Sequence, residues 1–395
     1  MRALKRFFIL HGQTILSTIV ILTVVIGLLG YRLGSMVPGF SQAEISFINS
    51  SSDLSKIIAN PLNAPMKLPI WAMLQFGLDT PGWLRAVGAS FGVITVLLFY
   101  FILRQWHTRR TALLTSFLFI IGSWFLQTSR LALPYILLAF AVSCLIVIAR
   151  ILYDQHASRF KLLVSFLAAG VLVYIPGIIW FIGALIIWQL PHARKLASNI
   201  AWWQKLLAVI LLGGILTPLM YAGFKSPEIL IDLLALPKEF LWVEWIRRLL
   251  VLPIFLTAQG PFAPVFNLGR LPLLDVFTTV AALLGIYWYY FKMKLKRTQL
   301  FIVMTILSSA LITLNGPTFL PLLLPLVYIA VGAGLTLLLQ QWFTVFPRNP
   351  IARAAGIMTI AIMIAITGSY HLKRYYVAWP GNPDTRSEFI YLLDK

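Results

Sequence analysis

The chain is poor in cysteine and in charge. Cys144 is the one cysteine among 395 residues, so neither an internal disulfide nor a cysteine-based metal site can form within the chain. Charged residues make up 11% of the sequence, whereas soluble domains carry about one quarter. This scarcity of charge excludes a soluble globular protein.

Apolar residues take the place of the missing charge. They make up 60% of the chain, and apolar runs continue into its C-terminal region, so one cleaved signal peptide cannot account for them. We therefore expect an all-α polytopic membrane protein. A spanning helix needs about 20 apolar residues. By this measure we predict eleven spans, at residues 13–33, 84–103, 111–128, 131–152, 160–175, 177–190, 204–223, 273–291, 298–315, 317–340 and 351–370.

Basic residues indicate the orientation of these spans. The net charge is +20, but it is divided into short clusters between spans, which excludes nucleic acid as a partner. If the N-terminus is cytoplasmic, every inside segment is net positive, and Asp154 is the only acid on that side. Pro176-Gly177 divides residues 161–190 into two short spans. The odd number of spans then places the C-terminus outside.

Two long segments lie on the predicted outer side. They are residues 34–83 and 224–272, within a transmembrane domain of residues 1–370, and residues 371–395 form a short outer tail. The inside loops are short connectors. Both outer segments contain stretches that predict amphipathic surface helices, so we expect any chemistry to be on this side.

The first outer segment contains an acid and a lysine that each have two interpretations. Ser41 and Glu44 have the spacing of a capping box, which starts a helix, while a carboxylate in this place could also serve as a general base. Lys67, in a proline-stiffened stretch, suits a phosphate at the headgroup level, although a snorkelling lysine is common at this depth and is favoured by the local sequence.

Further arginines lie at the predicted outer face. Arg85 and Arg130 stand at the outer ends of spans, against the usual charge bias. In the second segment, Glu244 and Arg248 form an i,i+4 pair on one helix, and Arg247 lies beside them. Two interpretations stay open for these arginines: a phosphate clamp, or ordinary contacts of a helix that lies on the membrane surface.

The five histidines are dispersed, and no metalloprotease, zinc-finger, phosphate-loop or dinucleotide-binding motif occurs in the sequence. The spacing of serine, histidine and acid gives no support to a hydrolytic triad. The histidines therefore give no metal cluster, and no residue is predicted as a metal ligand.

Several stretches occur together in a familiar order. They are "KLPIW" from Lys67, "LRAVGASFGVITVLLFYFILR", "RRTALLTSFLFIIGSWFLQTSRLALPYILL", "NLGRLPLLDVFTTVAALLGIYWYY" and "FLPLLLPLVYIAVGAGL". With a long outer loop after the first span, this layout resembles the GT-C superfamily of polytopic glycosyltransferases. Within it, the chain is similar to the protein mannosyltransferases and aminoarabinose lipid A transferases, over roughly residues 10–340.

The resemblance implies a function at the outer face of a bacterial plasma membrane. The expected donor is a polyprenyl-phosphate-linked sugar, the acceptor is a lipid, glycan or protein, and a divalent metal stays open as a cofactor. By position, Glu44 matches the catalytic acid and Lys67 the lysine near the carrier phosphate. Arg85 and Arg130 match two motif arginines.

Arg247, Arg248 and Arg270 complete the expected phosphate clamp by topology rather than by motif. The family's neighbouring acid is replaced here by Ser41-Gln42-Ala43. An inactive relative, or a lipid or polysaccharide transporter of envelope assembly, is therefore the alternative.

Overall fold

The computed structural model describes the backbone of residues 2–154, 158–198, 201–237, 239 and 241–393, and the side chains of these residues except 2–11 and 191–198. The side chains of five residues used in the charge count, Arg2, Lys5, Arg6, Arg194 and Lys195, lie outside the described set. Throughout the described part the protein is helical, and its one β-type contact is an isolated bridge between Phe40 and Tyr391.

The first half of the chain consists of long helices and one long loop that contains short helices. Its helices are α1 (Arg2–Gly30), α2 (Gln42–Asn49), α3 (Leu54–Ala59), α4 (Ala64–Gln75), α5 (Pro81–Trp106), α6 (Arg109–Ile121), α7 (Ser123–Ser129), α8 (Tyr135–Tyr153), α9 (Arg159–Leu172) and α10 (Ile178–Ser198). Loop one, residues 34–80, contains the three short helices α2 to α4.

The second half has the same organisation and ends in a folded tail. Its helices are α11 (Trp202–Lys225), α12 (Glu228–Leu233), α13 (Trp242–Thr257), α14 (Val276–Tyr290), α15 (Lys296–Asn315), a 3₁₀ helix (Pro317–Leu323), α16 (Leu324–Val345), α17 (Pro350–Lys373), a π-helical segment (Arg374–Ala378), α18 (Trp379–Gly381) and α19 (Pro383–Glu388). Loop two, residues 226–275, contains α12 and α13.

The all-α polytopic class predicted from the sequence is confirmed. Seven described helices are long and apolar enough to cross a membrane, and the α6–α7 pair, bent by 61° at Gly122, adds an eighth if it is one span. Two further apolar segments, Ile178–Leu190 and Val276–Tyr290, are shorter. The number of eleven spans stays a prediction, because several predicted spans correspond to helices below the usual crossing length.

Helix α16 is the central helix of the bundle and packs most closely against α14. A Cβ at Gly285 would come within 1.8 Å of the Ala330 carbonyl oxygen, and one at Gly334 within 1.9 Å of the Ala281 oxygen. Only glycine permits this approach of two backbones, as is common where membrane helices cross. The pair therefore forms a rigid core around which the other helices pack.

The helices alternate between two ends of the bundle. At one end, which we call the basic end, Arg297 donates to the Trp106 carbonyl (2.7 Å) and Arg109 hydrogen-bonds Gln13. Loop one, loop two and residues 371–393 gather at the other end, which we call the loop end. That the loop end faces outward, with the N-terminus cytoplasmic, stays a prediction from charge.

The C-terminal residues are part of the loop end and pack into it. Helix α17 continues through residue 370 to Lys373, and Phe40 and Tyr391 exchange two backbone hydrogen bonds of 2.8 and 3.1 Å. The side chain of Phe389 is fully buried. The predicted domain boundary at residue 370 stays untested, but residues 371–393 fold against both loops.

Candidate functional site

Glu44 lies in the first turn of helix α2 and is fully buried. Ser41 Oγ accepts from the Glu44 amide, and a Glu44 carboxylate oxygen accepts from the Ser41 amide at 3.0 Å. This is the capping box predicted from the spacing, and it is confirmed. The carboxylate is therefore fixed at the start of the helix by its own neighbours in sequence.

The same carboxylate forms a two-bond ion pair with Arg85, at the start of α5. Arg85 Nε donates to Oε1 at 2.9 Å and Nη2 to Oε2 at 2.8 Å, while Nη2 also donates to the Gly39 carbonyl at 2.7 Å. The Ala132 amide donates to Oε1 at 2.9 Å. Both carboxylate oxygens thus already accept at least two hydrogen bonds from the protein itself.

Two aromatic rings cover the Arg85 guanidinium. Its central carbon lies 5.4 Å from the ring centroid of Phe40 and 5.5 Å from that of Phe389, which is cation–π distance. The Glu44–Arg85 pair therefore connects loop one, α5, the segment after α7 and the C-terminal tail. In this arrangement Glu44 and Arg85 hold the loop end together.

Arg130, the other motif arginine, is also buried in the fold. Its guanidinium donates to the Tyr31 carbonyl, at the end of α1, and lies 5.1 Å from the ring centroids of Tyr375 and Tyr376. Only 3% of the residue is exposed. The arginine thus joins α1, α7 and the π-helical segment.

Lys67 differs from the two arginines because its charge is only partly satisfied. The side chain is buried, not snorkelling, and the described part of the chain gives its ammonium one acceptor, the Asn60 carbonyl at 2.7 Å. An ammonium has three donors, so two remain for a ligand. Burial lowers the pKa of Lys67 from its ordinary value to about 8.

A groove of about 330 Å³ opens beside α13 in loop two. Its polar lining includes Glu239, Glu244 and Arg248, together with Trp245 and the end of α15 at Leu314. Arg248 pairs with Glu244 at 3.4 Å, as the i,i+4 spacing predicted, and donates to the Leu314 carbonyl at 3.1 Å. We call this the α13 groove.

The groove has an apolar continuation that shares Arg248. This second recess, of about 150 Å³, is lined by Leu252, Phe255, Ile312 and Pro317. Arg248 thus stands where a polar cavity meets an apolar one. Arg247 and Arg270 are exposed in the same loop, and neither lines the two recesses.

The structure brings the predicted site residues together in part only. Glu44 contacts Arg85, with Arg130 in the adjoining layer, but no hydrogen bond or ion pair joins Lys67 to Glu44. Arg248 is in the α13 groove with Glu244. The predicted site residues therefore lie in three places. Glu44, Arg85 and Arg130 belong to a buried junction, Lys67 is a buried lysine of loop one, and Arg248 lines the α13 groove.

Sequence reasoning missed the residues that shape loop two. Arg374 donates to the Pro272 carbonyl (2.6 Å) and to Asn267 Oδ1 (2.7 Å), and Asn267 in turn donates to the Pro261 carbonyl (2.9 Å). Trp379 donates to the Pro264 carbonyl. Nothing in the sequence near Arg374 signals these contacts, because its partners Pro272 and Asn267 lie in a distant part of the chain.

It also missed a buried polar chain beside loop two. His371 Nε2 lies 3.0 Å from Asp275 Oδ2, and its Nδ1 lies 3.0 Å from Ser123 Oγ. Ser123 is fully buried, so this serine–histidine–aspartate sequence does not reach a substrate. Instead, it ties the first turns of α7 and α14 to the last turn of α17.

A divalent metal does not fit the residues described here. No group of three histidine, cysteine, aspartate or glutamate side chains comes together among them. The oxygens of Glu44 are already occupied by Arg85, Ser41 and Ala132. We therefore derive no step through a metal ion.

The helices and the gathering of polar groups at one end define a polytopic membrane protein with an all-helical transmembrane bundle. No family model matches the chain, and no curated protein matches it. Its fold is similar to two crystal structures of ArnT from Cupriavidus metallidurans, an aminoarabinose lipid A transferase of the GT-C fold.

The structure of ArnT bound to undecaprenyl phosphate superposes with a TM-score of 0.55 at 14% identity and covers 94% of this chain and 76% of that one. For the apo structure the TM-score is 0.51 at 15% identity, over 93% and 75%. The chain thus has an ArnT-like polytopic fold, in agreement with the resemblance that the order of its motifs carries. At this identity the likeness concerns the fold.

Proposed function

We propose that the protein is a membrane glycosyltransferase that takes a sugar from a polyprenyl-phosphate-linked donor and transfers it to an acceptor at the outer face. The observation that carries this proposal is the fold, which matches along 94% of the chain a transferase crystallised with undecaprenyl phosphate. The acceptor class, whether lipid, glycan or protein, is left open by the residues at the loop end.

Lys67 is the first residue proposed to bind the carrier phosphate. It is a buried cation with two donors left over, on a short helix of loop one. Bringing a phosphate to it would supply the missing acceptors and make the charge favourable in its low-dielectric surroundings. A neutral ligand could supply acceptors but would not balance the charge.

Arg248 is the second proposed phosphate contact. A polyprenyl-phosphate sugar is apolar at one end, anionic in the middle and polar at the other. The apolar recess, Arg248 and the α13 groove follow one another in that order. Arg247 and Arg270, both exposed on loop two, would add positive potential that draws the phosphate to this end of the molecule.

Glu44 and its partner Arg85, together with Arg130, are proposed to act by holding this end in shape. A carboxylate that accepts from Arg85, Ser41 and Ala132 would have to give up these bonds before it could take a proton from an acceptor. The predicted role of Glu44 as base stays a prediction that the substitutions described in the Discussion test.

Binding of undecaprenyl phosphate to the purified protein in nanodiscs tests the proposal. We expect saturable binding that falls at least tenfold in Lys67→Met and in Arg248→Gln. The matched controls are Lys56→Met, an exposed lysine of loop one, and Arg386→Gln, an exposed arginine of the tail. Equal binding by all five proteins would contradict the proposed site.

Mass spectrometry of cell-envelope lipids, glycans and proteins, with and without the gene, tests the transfer itself. A sugar-modified species should disappear in the absence of the gene and return with the native protein. Its identity would give both the sugar and the acceptor. An unchanged envelope would remove the support for a transferase.

The second candidate is an inactive GT-C-like protein, or a lipid or polysaccharide transporter, in envelope assembly. The saturated Glu44 carboxylate favours it, because the position where related enzymes are expected to keep an acid is used here for structure. This candidate predicts that the protein binds undecaprenyl phosphate but that mass spectrometry finds no sugar-modified species that depends on the gene.

A further inference from the structure

If Glu44 is held in the fold, the acceptor must lose its proton to another group. Transfer from a phosphate-linked sugar forms a bond between the acceptor oxygen or nitrogen and the anomeric carbon. The bond from that carbon to the phosphate oxygen breaks, and its electron pair stays on the phosphate. The acceptor's proton needs a base within hydrogen-bond reach.

The α13 groove contains two carboxylates, Glu239 and Glu244. Glu244 is the one that contacts the proposed phosphate ligand, because its Oε2 lies 3.4 Å from Arg248 Nη2. Its side chain is 49% exposed and that of Arg248 is 45% exposed. The pair is therefore accessible to a ligand, unlike the buried pair of Glu44 and Arg85.

The contact between Glu244 and Arg248 is long and is the weaker of the two that Arg248 makes. The guanidinium also donates to the Leu314 carbonyl, at 3.1 Å, which orients it over the groove. The phosphate of the donor is a diester with one negative charge, like a carboxylate, and it offers two oxygens that can accept from a guanidinium at shorter distance than the 3.4 Å of the Glu244 contact. It can replace Glu244 at Arg248 while the bond to Leu314 keeps the guanidinium in place.

Displacement has a second effect on the carboxylate. Glu244 would lose its partner at Arg248, which leaves a carboxylate oxygen free to accept the hydrogen of the acceptor. The carboxylate would thus be available to the acceptor only when the donor is bound. Trp245, on the wall of the same groove, offers an apolar face of the kind on which a sugar ring can lie.

We infer that Glu244 is the catalytic carboxylate of the proposed transfer, kept paired with Arg248 in the free protein and released when the donor phosphate binds Arg248. This inference rests on the proposed function. In it the acceptor's proton moves to Glu244, the sugar moves to the acceptor, and polyprenyl phosphate leaves with Arg248 balancing its charge. No metal or other co-reactant is required.

Glu244→Gln tests the inference, because glutamine keeps the size and the hydrogen bond to Arg248 but cannot take the proton. We expect this variant to bind undecaprenyl phosphate as well as the native protein or up to severalfold tighter, since a competing charge is removed. It should restore less than 1% of the sugar-modified species when supplied to cells lacking the gene, in line with the 10²–10⁴-fold contribution of a general base.

Two other substitutions serve as comparisons. Glu228→Gln removes an exposed carboxylate of α12 that does not line the groove, and it should leave binding and transfer unchanged. Glu239→Gln removes the other groove carboxylate. A larger loss of transfer in Glu239→Gln than in Glu244→Gln would assign the base to Glu239 and overturn the inference.

Different results would contradict the proposed function and the assignment of Glu244. Absence of undecaprenyl phosphate binding by the native protein would overturn the proposed function. Binding with full transfer by Glu244→Gln would overturn only the assignment of Glu244. Because Glu244 is half exposed, Glu244→Gln should have the same thermal unfolding temperature as the native protein. An unchanged unfolding temperature shows that a loss of transfer does not result from misfolding.

Discussion

Glu44 and Arg85, which are 41 residues apart, form a two-bond ion pair that is sealed from solvent, with side-chain exposures of 0% and 2%. A buried pair of this kind is expensive to form, but the removal of one partner leaves an uncompensated charge. The backbone donors from Ser41 and Ala132 add to it. The loop end of the molecule depends on this junction.

We expect Glu44→Ala and Arg85→Ala each to lower the free energy of unfolding by about 3–5 kcal/mol. Removal of both should cost less than the sum, because the second substitution removes the charge that the first left unpaired. Unfolding in detergent, followed by tryptophan fluorescence, measures these differences.

Asp53→Asn is the control for the Glu44 substitutions. Asp53 caps α3 on the same loop and is exposed, and asparagine caps equally well. A fully stable Glu44→Gln protein that binds undecaprenyl phosphate but does not transfer sugar would contradict the structural interpretation. It would return Glu44 to the role of base.

The pKa of Lys67 makes a prediction about pH. Burial lowers this pKa to about 8, so the ammonium is present below pH 8 and is lost as the pH rises above it. Binding of undecaprenyl phosphate should therefore weaken between pH 7 and pH 9, measured as the dissociation constant in nanodiscs. Lys67→Arg should not show this decline, since a guanidinium stays protonated throughout the range. A native protein with constant affinity from pH 7 to pH 9 would show that Lys67 does not bind the phosphate.

Asp275, at the start of α14, contributes stability in its ionised form. Burial would raise the pKa of Asp275, but hydrogen bonds from His371 and Thr278 lower it overall from 3.8 to about 2. The depressed pKa means that the contribution is present above pH 4 and disappears as the pH falls to about 2. Asp275→Asn should accordingly lower the free energy of unfolding at pH 7 by about 2 kcal/mol.

Asp232→Asn, an exposed aspartate of α12, is the comparison for Asp275 and should have no measurable effect. Thermal unfolding of the three proteins at pH 7 and pH 3 provides the test. Equal stability of native protein and Asp275→Asn at pH 7 would show that the link between α14 and α17 contributes nothing.

The C-terminal tail offers a matched pair of neighbours. Phe389 is fully buried, with its ring against Trp379 and the Arg85 guanidinium, whereas Ile390 is 61% exposed. Phe389→Ala should destabilise the protein by about 3–5 kcal/mol, and Ile390→Ala by less than about 0.5 kcal/mol. Similar midpoints of denaturant unfolding for the two variants would mean that the tail is not part of the folded unit.

Much of the local structure could be predicted from the sequence. The capping box at Ser41 and Glu44, the i,i+4 pair of Glu244 and Arg248, and the break after α9 at Gly177 are all present. Each depends on residues within a few positions of one another, or on the backbone preference of glycine. The number of spans could not be predicted in this way, because α9 and α14 are too short to be recognised as spans by length alone.

The partners of the predicted site residues could not be predicted in the same way. Nothing near Arg85 in the sequence indicates that its guanidinium pairs with Glu44, and nothing near Arg374 indicates that it holds Pro272 and Asn267 in loop two. The packing of the C-terminal tail could not be predicted either. The sequence indicated only a short segment after the last span, and the structure buries its residues Tyr375, Trp379 and Phe389.

The sequence by itself determined the class of this protein, since a chain with so little charge and so many apolar runs can satisfy its backbone only as membrane-spanning helices. It also determined which residues were available as base and clamp. Only the tertiary structure decided how they are used. Burial and long-range pairing place Glu44 in the fold, leave Lys67 with unused donors, and put Arg248 between a polar and an apolar recess.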